Sequence, residues 1–325
     1  HKVTSFTKRI EKGRIVLAFI VESKSDFIGR VEYTNNNRKP EDVYTVYETT
    51  KPQPFKFITN QVYTIDPADG SITLEAAISS TNPSANLPRR GYTMTLDKSL
   101  DDFTYYGRGP INNFRDRKTG QFVEVHKQKI DADIMYPKPQ SMSNREDVRW
   151  VSLTDNAGNG IVVASDGLMS AGALPWTEQE LLGAAHPYQL PASKGSVLYL
   201  DMMTTGLGGN SCGQGPPLPM DRTKASAHIF GFTIRPVLAG NIAERPLPKG
   251  NSFSPISIEQ ARNGVVTLHS KLEGTSIVYT VNGGKPKLYK GAFPFKEGGT
   301  IKAWYKELGS QLSFSSSFEK IDIVP

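Results

Sequence analysis

Alternating apolar and polar positions, the pattern of half-buried β-strands, recur along most of this 325-residue chain. Residues 72–78 alternate in this way, and an Asp69-Gly70 turn separates them from the strand-like residues 61–65, which predicts a hairpin. A second hairpin is predicted where residues 150–154 and 161–164 flank an Asn- and Gly-rich turn. Further strands are predicted at residues 14–21, 92–96, 122–130, 197–203 and 228–234.

Helical signals are scarce. The clearest is a capping box from Thr177 to Glu180, which predicts a short helix ending near Ala185. Many short strands with so little helix favour an all-β sandwich over a fold of alternating strands and helices.

The composition changes after Val237, and this divides the chain into two predicted domains. Residues 238–254 are rich in turn formers and lack an apolar period, so they are interpreted as a linker between a domain at 1–237 and a module at 255–325. The module restarts a strand pattern, and its spacing predicts a small immunoglobulin-like β-sandwich. Its predicted strands are 265–268, 276–280, 300–305 and 311–314, with turns at 273–274 and 282–284.

Charge and cysteine content argue against several classes of protein. The net charge of +6 comes from residues scattered along the chain, which does not indicate a nucleic-acid binder. The longest apolar run, Ile15 to Val21, has the length of a strand, so no membrane span is expected. The single cysteine, Cys212, excludes an internal disulfide and a CxxC zinc site. Since the chain begins His1-Lys2-Val3 without a methionine, we expect a fragment of a longer protein.

Four segments carry a resemblance to one enzyme family. Residues 106–117 read YGRGPINNFRDR, residues 135–150 contain MYPKPQ and NREDVRW, residues 174–190 contain LPWTEQEL and HPYQL, and residues 206–213 read GLGGNSCG. In this order they resemble the C-terminal, small-chain region of family 2 β-galactosidases. The tail from Pro255 resembles the chitobiase-type C-terminal β module of secreted glycosidases, through IVYTVNGG at 277–284 and GTIKA at 299–303.

The resemblance implies a fold and a role. The implied fold of residues 1–237 is a galactose mutarotase-like antiparallel β supersandwich, truncated at its N-terminus, that packs against the catalytic barrel of the parent enzyme. Both catalytic glutamates of this retaining family lie in that barrel, so the chain alone is expected to be non-catalytic and inactive. The partners implied are the barrel and a galactoside in a parent that can be homo-oligomeric. No cofactor is expected in this chain, although full-length relatives use Mg or Na in the catalytic domain.

The resemblance also assigns site residues. It implies a gating loop that includes Gly107, Arg108, Asp116 and Arg117, and the alternative is a structural turn in which Asp116 pairs with Arg115 or Arg117. The implied rim of the substrate pocket comprises Gly109, Pro110, Asn112, Asn113, Asn210, Ser211 and Cys212.

Cys212 is the most informative departure from the family pattern. It stands where family members place a tryptophan that stacks on galactose, so substrate preference is expected to differ. The alternative is a buried small hydrophobic residue in a glycine-rich hairpin.

Other candidate catalytic or metal-binding residues in the sequence give weaker signals. The acid pairs Asp131/Asp133 and Glu178/Glu180 are interpreted as an exposed strand end and as a helix first turn. The five histidines lack metal-ligand spacing, so no metal site is predicted. A less favoured alternative is an aldose epimerase that would use His126, His186 and Glu180, because mutarotases employ histidines with a carboxylate.

Two further groups are interpreted as structural. The charged cluster Asn144, Arg145, Asp147 and Arg149 is predicted to form an ion-pair network at a domain interface. Trp176 is interpreted as packing on the short helix, with sugar contact as the alternative.

Two other functions stay open from the sequence. One is a freestanding carbohydrate-binding protein with Trp150, Trp176 or Trp304 exposed, and the other is a purely structural module. The sequence does not fix the compartment, although the tail module suggests a bacterial periplasmic, cell-surface or extracellular protein.

Overall fold

The computed structural model describes residues 1–25, 31–34, 45–48, 55–133, 135–208, 217–239, 241, 255–270, 272, 275–310 and 312–321. Within these ranges nearly all regular structure is strand and every ladder is antiparallel, which confirms the all-β prediction. The strands are, in chain order, β1 (Lys2–Glu11), β2 (Arg14–Ser25), β3 (Val31–Thr34), β4 (Thr45–Glu48), β5 (Phe55–Asp66), β6 (Ser71–Ser80), β7 (Asn86–Leu87), β8 (Arg89–Leu96), β9 (Asp102–Gly109), β10 (Phe122–Lys129), β11 (Arg145–Thr154), β12 (Gly160–Leu174), β13 (Ser196–Thr204), β14 (Thr223–Lys224), β15 (His228–Val237), β16 (Ile256–Gln260), β17 (Val265–Ser270), β18 (Ile277–Val281), β19 (Lys287–Leu288), β20 (Phe293–Pro294), β21 (Gly299–Tyr305) and β22 (Ser313–Phe318). The helices are α1 (Glu178–Gly183) and 3-10 turns at Pro187–Gln189 and Pro219–Asp221.

A large sheet folds over itself to enclose the main core. Its strand order is β1-β2-β5-β6-β15-β12-β11-β9-β10, and β13 and β8 continue from β12. The first part of β12 pairs with β15 and its last part pairs with β13. Tyr92 of β8 lies against Phe230 and Phe232 of β15, with ring centroids 6.3 and 5.7 Å apart. Since β8 hydrogen-bonds to β13, these ring contacts cross the interior and join two layers.

The predicted hairpins are confirmed. Strands β5 and β6 pair from Phe57 to Asp66, and β11 and β12 pair across the turn at 155–159. Gly70 has φ +70°, a conformation that glycine adopts without strain, and the Asp69 carboxylate accepts the Ser71 N–H at 2.9 Å.

The predicted helix is also present. The Thr177 hydroxyl accepts the Glu180 N–H, and the Glu180 carboxylate accepts the Thr177 N–H at 2.9 Å, which is a complete capping box. No helix in the described part of the chain has the length and hydropathy needed to span a membrane.

The tail forms two small antiparallel sheets, β16-β17-β20 and β19-β18-β21-β22. Its predicted strands are found as β17, β18, β21 and β22, and Asn282 and Gly283 make the predicted turn with φ of +49° and +72°. The predicted turn at 273–274 and most of the predicted linker, 242–254, lie outside the described residues.

The outer face of the large sheet and the tail share one hydrophobic cluster. Val16, Ala18, Val62 and Ala77 of β2, β5 and β6 are buried in the cluster that contains the tail core. Leu272 borders the same small gap as Ala18 and Val62. The tail therefore covers apolar side chains of the large sheet as well as its own.

Candidate functional site

Four separate motif segments meet at one cleft of about 220 Å³. Phe114 comes from the first segment, Ser141 lies between the two motif parts of the second, Glu178 lies in the third, and Gly206 and Leu207 begin the fourth. The remaining lining residues are Pro88, Arg89, Thr204 and Thr205. Segments that lie far apart in the sequence thus build a single concave surface.

An ionic cluster lies beside this cleft. The Arg89 guanidinium is 2.9 Å from the buried Asp201 carboxylate, it also pairs with Glu178, and it lies 4.7 Å from the centre of the Tyr199 ring. Burial raises the pKa of Asp201 to about 7, and the nearby Arg89 charge opposes that rise. One cation therefore anchors β8, β13 and helix α1 together.

This cluster is not among the residues predicted from the sequence. A signal for it was present, because Asp201 is the one acid inside the apolar run of residues 197–203.

The turn at residues 114–117 is tied to the glycine-rich segment. Backbone hydrogen bonds between Phe114 and Arg117 close the turn. The Asp116 carboxylate accepts the N–H groups of Leu207 at 3.1 Å and Gly208 at 2.8 Å. Asp116 therefore bonds to the backbone of another segment rather than to Arg115 or Arg117, the pairing considered from the sequence.

Gly206 is required for this close approach. A Cβ atom at Gly206 would overlap the Asp116 carboxylate, whose Cγ would lie 2.5 Å away. Only glycine leaves room for the carboxylate at this distance.

Asn113, which the resemblance assigns to the pocket rim, is buried beneath the turn at residues 114–117. It is fully buried, and its amide donates to the carbonyls of Arg108 at 2.9 Å and Ile111 at 3.0 Å. Its side-chain oxygen accepts the Glu146 N–H at 2.9 Å. These protein contacts use both ends of the amide, so Asn113 holds the base of the turn.

Glu146 continues this buried network. Its carboxylate accepts hydrogen bonds from Asn144, Ser170 and Thr204 at 2.8–2.9 Å. The network joins the first two motif segments to β12 and β13, and Thr204 also borders the cleft.

Gly107 and Arg108, which the resemblance assigns to a gating loop, are placed in a strand by the structure. Both residues lie in strand β9, and a Cβ at Gly107 would come within 2.7 Å of Val148. Arg108 pairs with Asp147 and donates to the Gln121 carbonyl at 2.8 Å, and Lys118 is 2.7 Å from the other Asp147 oxygen. This part of the segment is fixed in the sheet.

Gly109, Pro110, Asn112 and Arg117 flank the turn. Gly109 is buried against Tyr105 and His126 and its bond to the exposed Pro110 is cis. Asn112 donates to the Tyr136 hydroxyl at 3.4 Å, and the Arg117 guanidinium lies 5.7 Å from the Phe114 ring centre. The other proposed rim residues, Asn210, Ser211 and Cys212, lie outside the described residues.

The charged cluster of the second motif segment is partly core. Arg145 is 0% exposed, and it donates to the Tyr105 hydroxyl at 2.8 Å and pairs with Asp133 at 2.7 Å. Arg149 lies over the Tyr106 ring. Arg145 therefore belongs to the interior of this domain, because each of its three guanidinium nitrogens donates to an acceptor within the domain.

Asp131 and Asp133 do not share a strand face. Strand β10 ends at Lys129, Asp131 is exposed in a turn, and Asp133 pairs with Arg145. The described residues contain no group of three His, Cys, Asp or Glu side chains placed to hold a metal ion.

The residues weighed for epimerase chemistry have separate neighbours. His126 lies against the Tyr105 ring, His186 stacks on Tyr188, and Glu180 caps helix α1. Trp176 donates to the Pro191 carbonyl at 2.8 Å and packs in the cluster that contains Leu181 of α1.

A larger groove of about 590 Å³ lies on the outer face of the sheet, lined by Arg9, Arg14, Glu75 and Ser270 among others. None of the motif segments reaches it. The smaller cleft is therefore the better candidate site, because the recognisable sequence features converge there.

Comparison with known proteins identifies the family. The sequence model of the family described as β-galactosidase small chain matches residues 13–234. The β-galactosidase of Priestia megaterium is 30% identical over 171 residues, 52% of this chain and 16% of that protein. The β-galactosidase of Lactobacillus delbrueckii subsp. bulgaricus is 28% identical over 202 residues, 62% of this chain and 20% of that protein.

A solved structure of a galactose mutarotase related enzyme from Lactobacillus acidophilus is also similar, with 10% identity, 73% of each chain covered and a TM-score of 0.35. The chain spans no more than about a fifth of the length of the two β-galactosidases that it matches. The family match extends over more than half of the chain and includes all four motif segments, so this protein belongs to the β-galactosidase small-chain family.

Proposed function

We propose that this chain supplies one wall of the sugar pocket of a β-galactosidase, whose hydrolytic carboxylates lie elsewhere in the parent enzyme. The observation that carries the proposal is the convergence of four family motifs on the cleft beside Phe114 and Leu207. The galactoside substrate and the catalytic barrel are the partners that this role requires.

The size of the cleft supports a partial site. Pockets that enclose a small ligand usually measure roughly 300–1,000 Å³. The cleft measures about 220 Å³, so it would need a facing surface to enclose a sugar. A barrel packed against it would provide that surface.

The acids near the cleft support a non-catalytic role. Retaining glycoside hydrolysis needs two carboxyl groups about 5 Å apart on opposite sides of the scissile bond. Glu178 and Asp201 instead share one guanidinium, that of Arg89. Glu146 is buried, and its carboxylate accepts three hydrogen bonds. These acids are engaged in holding strands together.

The tryptophans do not favour a freestanding lectin. Trp150, Trp176 and Trp304 are all half-buried, whereas a sugar platform needs an exposed ring face. Calorimetry with galactose and lactose on this chain alone should detect no binding at millimolar concentration. Binding at that level would favour the freestanding function instead.

The decisive experiment compares the chain alone with the full-length enzyme that carries it. A fluorogenic β-galactoside should be hydrolysed by the full-length enzyme and left intact by the chain. Within the full-length enzyme, Ser141→Trp should raise KM, because Ser141 borders the cleft and an indole would fill it. Turnover by the isolated chain that a point mutation abolishes, or an unchanged KM in Ser141→Trp, would contradict the proposal.

A further inference from the structure

Asp116 holds two motif segments at the mouth of the cleft in a fixed relation. Its two carboxylate oxygens each accept one backbone N–H, from Leu207 and from Gly208. A carboxylate that accepts from consecutive amides fixes both the position and the orientation of that backbone. Gly208 has φ +98°, so the chain bends sharply at the point where it is held.

Both partners of this contact are themselves anchored. On one side, Asn113 ties the turn at 114–117 to the Asn144 carbonyl at 2.8 Å through its own N–H. On the other side, the N–H groups of Thr205 and Gly206 donate to the carbonyls of Pro88 and Asp221, each at 2.8 Å. The Asp116 contact therefore connects two anchored segments. Phe114 in one segment and Leu207 in the other both line the cleft.

We propose that Asp116 is a positioning residue of the sugar pocket, which sets the backbone of residues 206–208 against the turn at 114–117. This inference rests on the proposed function of the cleft. Loss of the carboxylate would release Leu207 from its place in the cleft wall without removing any group that touches the sugar. A displacement of about 1 Å in such a wall can weaken binding or catalysis by tenfold or more.

The test uses Asp116→Ala and Gly206→Ala in the full-length β-galactosidase that carries this chain. Asp116→Ala should raise KM and the Ki of a competitive galactoside analogue about tenfold with a smaller change in kcat, because positioning affects sugar binding first. Gly206→Ala should have a similar effect, since its new Cβ would push the Asp116 carboxylate away. Asp131→Asn is the matched control: Asp131 is an exposed acid in a turn, and its substitution should leave both constants within twofold.

The double variant Asp116→Ala/Gly206→Ala separates positioning from general damage. The atoms nearest the new Cβ all belong to Asp116, so Gly206→Ala should add little once the carboxylate is gone. A double-mutant cycle should therefore be strongly non-additive. Additive effects, or a KM for Asp116→Ala within twofold of the wild type, would overturn the inference.

A measurement that does not depend on activity completes the test. Amide hydrogen exchange at Leu207 and Gly208 should be at least tenfold faster in Asp116→Ala than in the wild type, because both amides lose their acceptor. If exchange is unchanged, the contact does not exist in solution and the inference fails alone. If exchange accelerates while Ser141→Trp and Asp116→Ala both leave KM unchanged, the proposed function of the cleft fails.

Discussion

The guanidinium of Arg145 lies 2.7 Å from the Asp133 carboxylate, in a site where Arg145 is wholly buried. Removing either partner leaves the other charge buried without a counter-ion. Asp133→Ala should therefore lower the free energy of unfolding by about 3–5 kcal/mol.

Urea unfolding followed by tryptophan fluorescence measures this loss. The control is Asp131→Asn, two residues away and exposed, which should stay within about 0.5 kcal/mol of the wild type. Equal stabilities for Asp133→Ala and the control would contradict the buried pair.

Asp147 should stabilise the fold at neutral pH but not in acid. Burial raises the pKa of Asp147, but hydrogen bonds from Lys118 and Arg108 outweigh burial and place the pKa below its usual 3.8. A lowered pKa contributes stability above pH 4 that is lost as the pH falls through the folded-state value. Asp147→Asn should cost about 1–3 kcal/mol at pH 7.

The same substitution at pH 3 should cost clearly less. Asparagine suits the test because Asp147 has φ +53°, a conformation that asparagine tolerates, so backbone strain does not confuse the comparison. A cost that is equal at pH 3 and pH 7 would show that charge at Asp147 does not matter.

Asp201 should make stability fall as the pH rises. Its pKa of about 7 lies above the ordinary 3.8, so its contribution is complete below about pH 4 and is lost as the pH passes about 7. The upper bound of this loss is about 4 kcal/mol, since one pKa unit corresponds to about 1.4 kcal/mol. Asp201→Asn should reduce the change of the urea unfolding midpoint with pH between pH 4 and 8.

Glu124→Gln is the control for this experiment, because Glu124 is an exposed acid on β10 and its loss should leave the slope in place. A wild-type midpoint that does not change over this range would refute the raised pKa. The ion pair with Arg89 would then keep Asp201 charged throughout.

Gly109 should tolerate no side chain. A Cβ there would overlap the Tyr105 hydroxyl and lie 2.7 Å from His126. Gly109→Ala should therefore cost about 1–3 kcal/mol through overpacking. Gly120→Ala, in a turn with nothing within 4 Å of its Cβ, should be neutral or slightly stabilising; similar costs at both glycines would contradict this packing.

Strand and turn patterns predicted the architecture because alternation and turn chemistry are local. The hairpin at Asp69-Gly70 and the helix capped by Thr177 depend on residues within a few positions of each other. The resemblance assigns Gly107 and Arg108 to a loop, whereas they lie in strand β9. Gly107 and Gly109 are instead glycines because Val148, Tyr105 and His126 approach them from neighbouring parts of the sheet.

The candidate site could be predicted only in part for the same reason. The motif segments were visible in the sequence, but their meeting at one cleft depends on the sheet order. Asn113 and Arg145 have the polarity of surface residues, yet both are buried, and each bonds to a partner more than ten positions away. The contact of Asp116 with Leu207 spans ninety-one positions, and no local pattern indicates it.

Ala18 and Val62 of the large sheet are buried in the same hydrophobic cluster as the tail core, and this affects how the protein can be truncated. Truncating the protein between residues 242 and 254 would remove the tail and expose the apolar outer face of β2, β5 and β6 to solvent. An exposed apolar face of this kind favours aggregation. Shortened products should then precipitate or pair with one another. Residues 1–237 and the tail from residue 255 should therefore be expressed and purified as one chain.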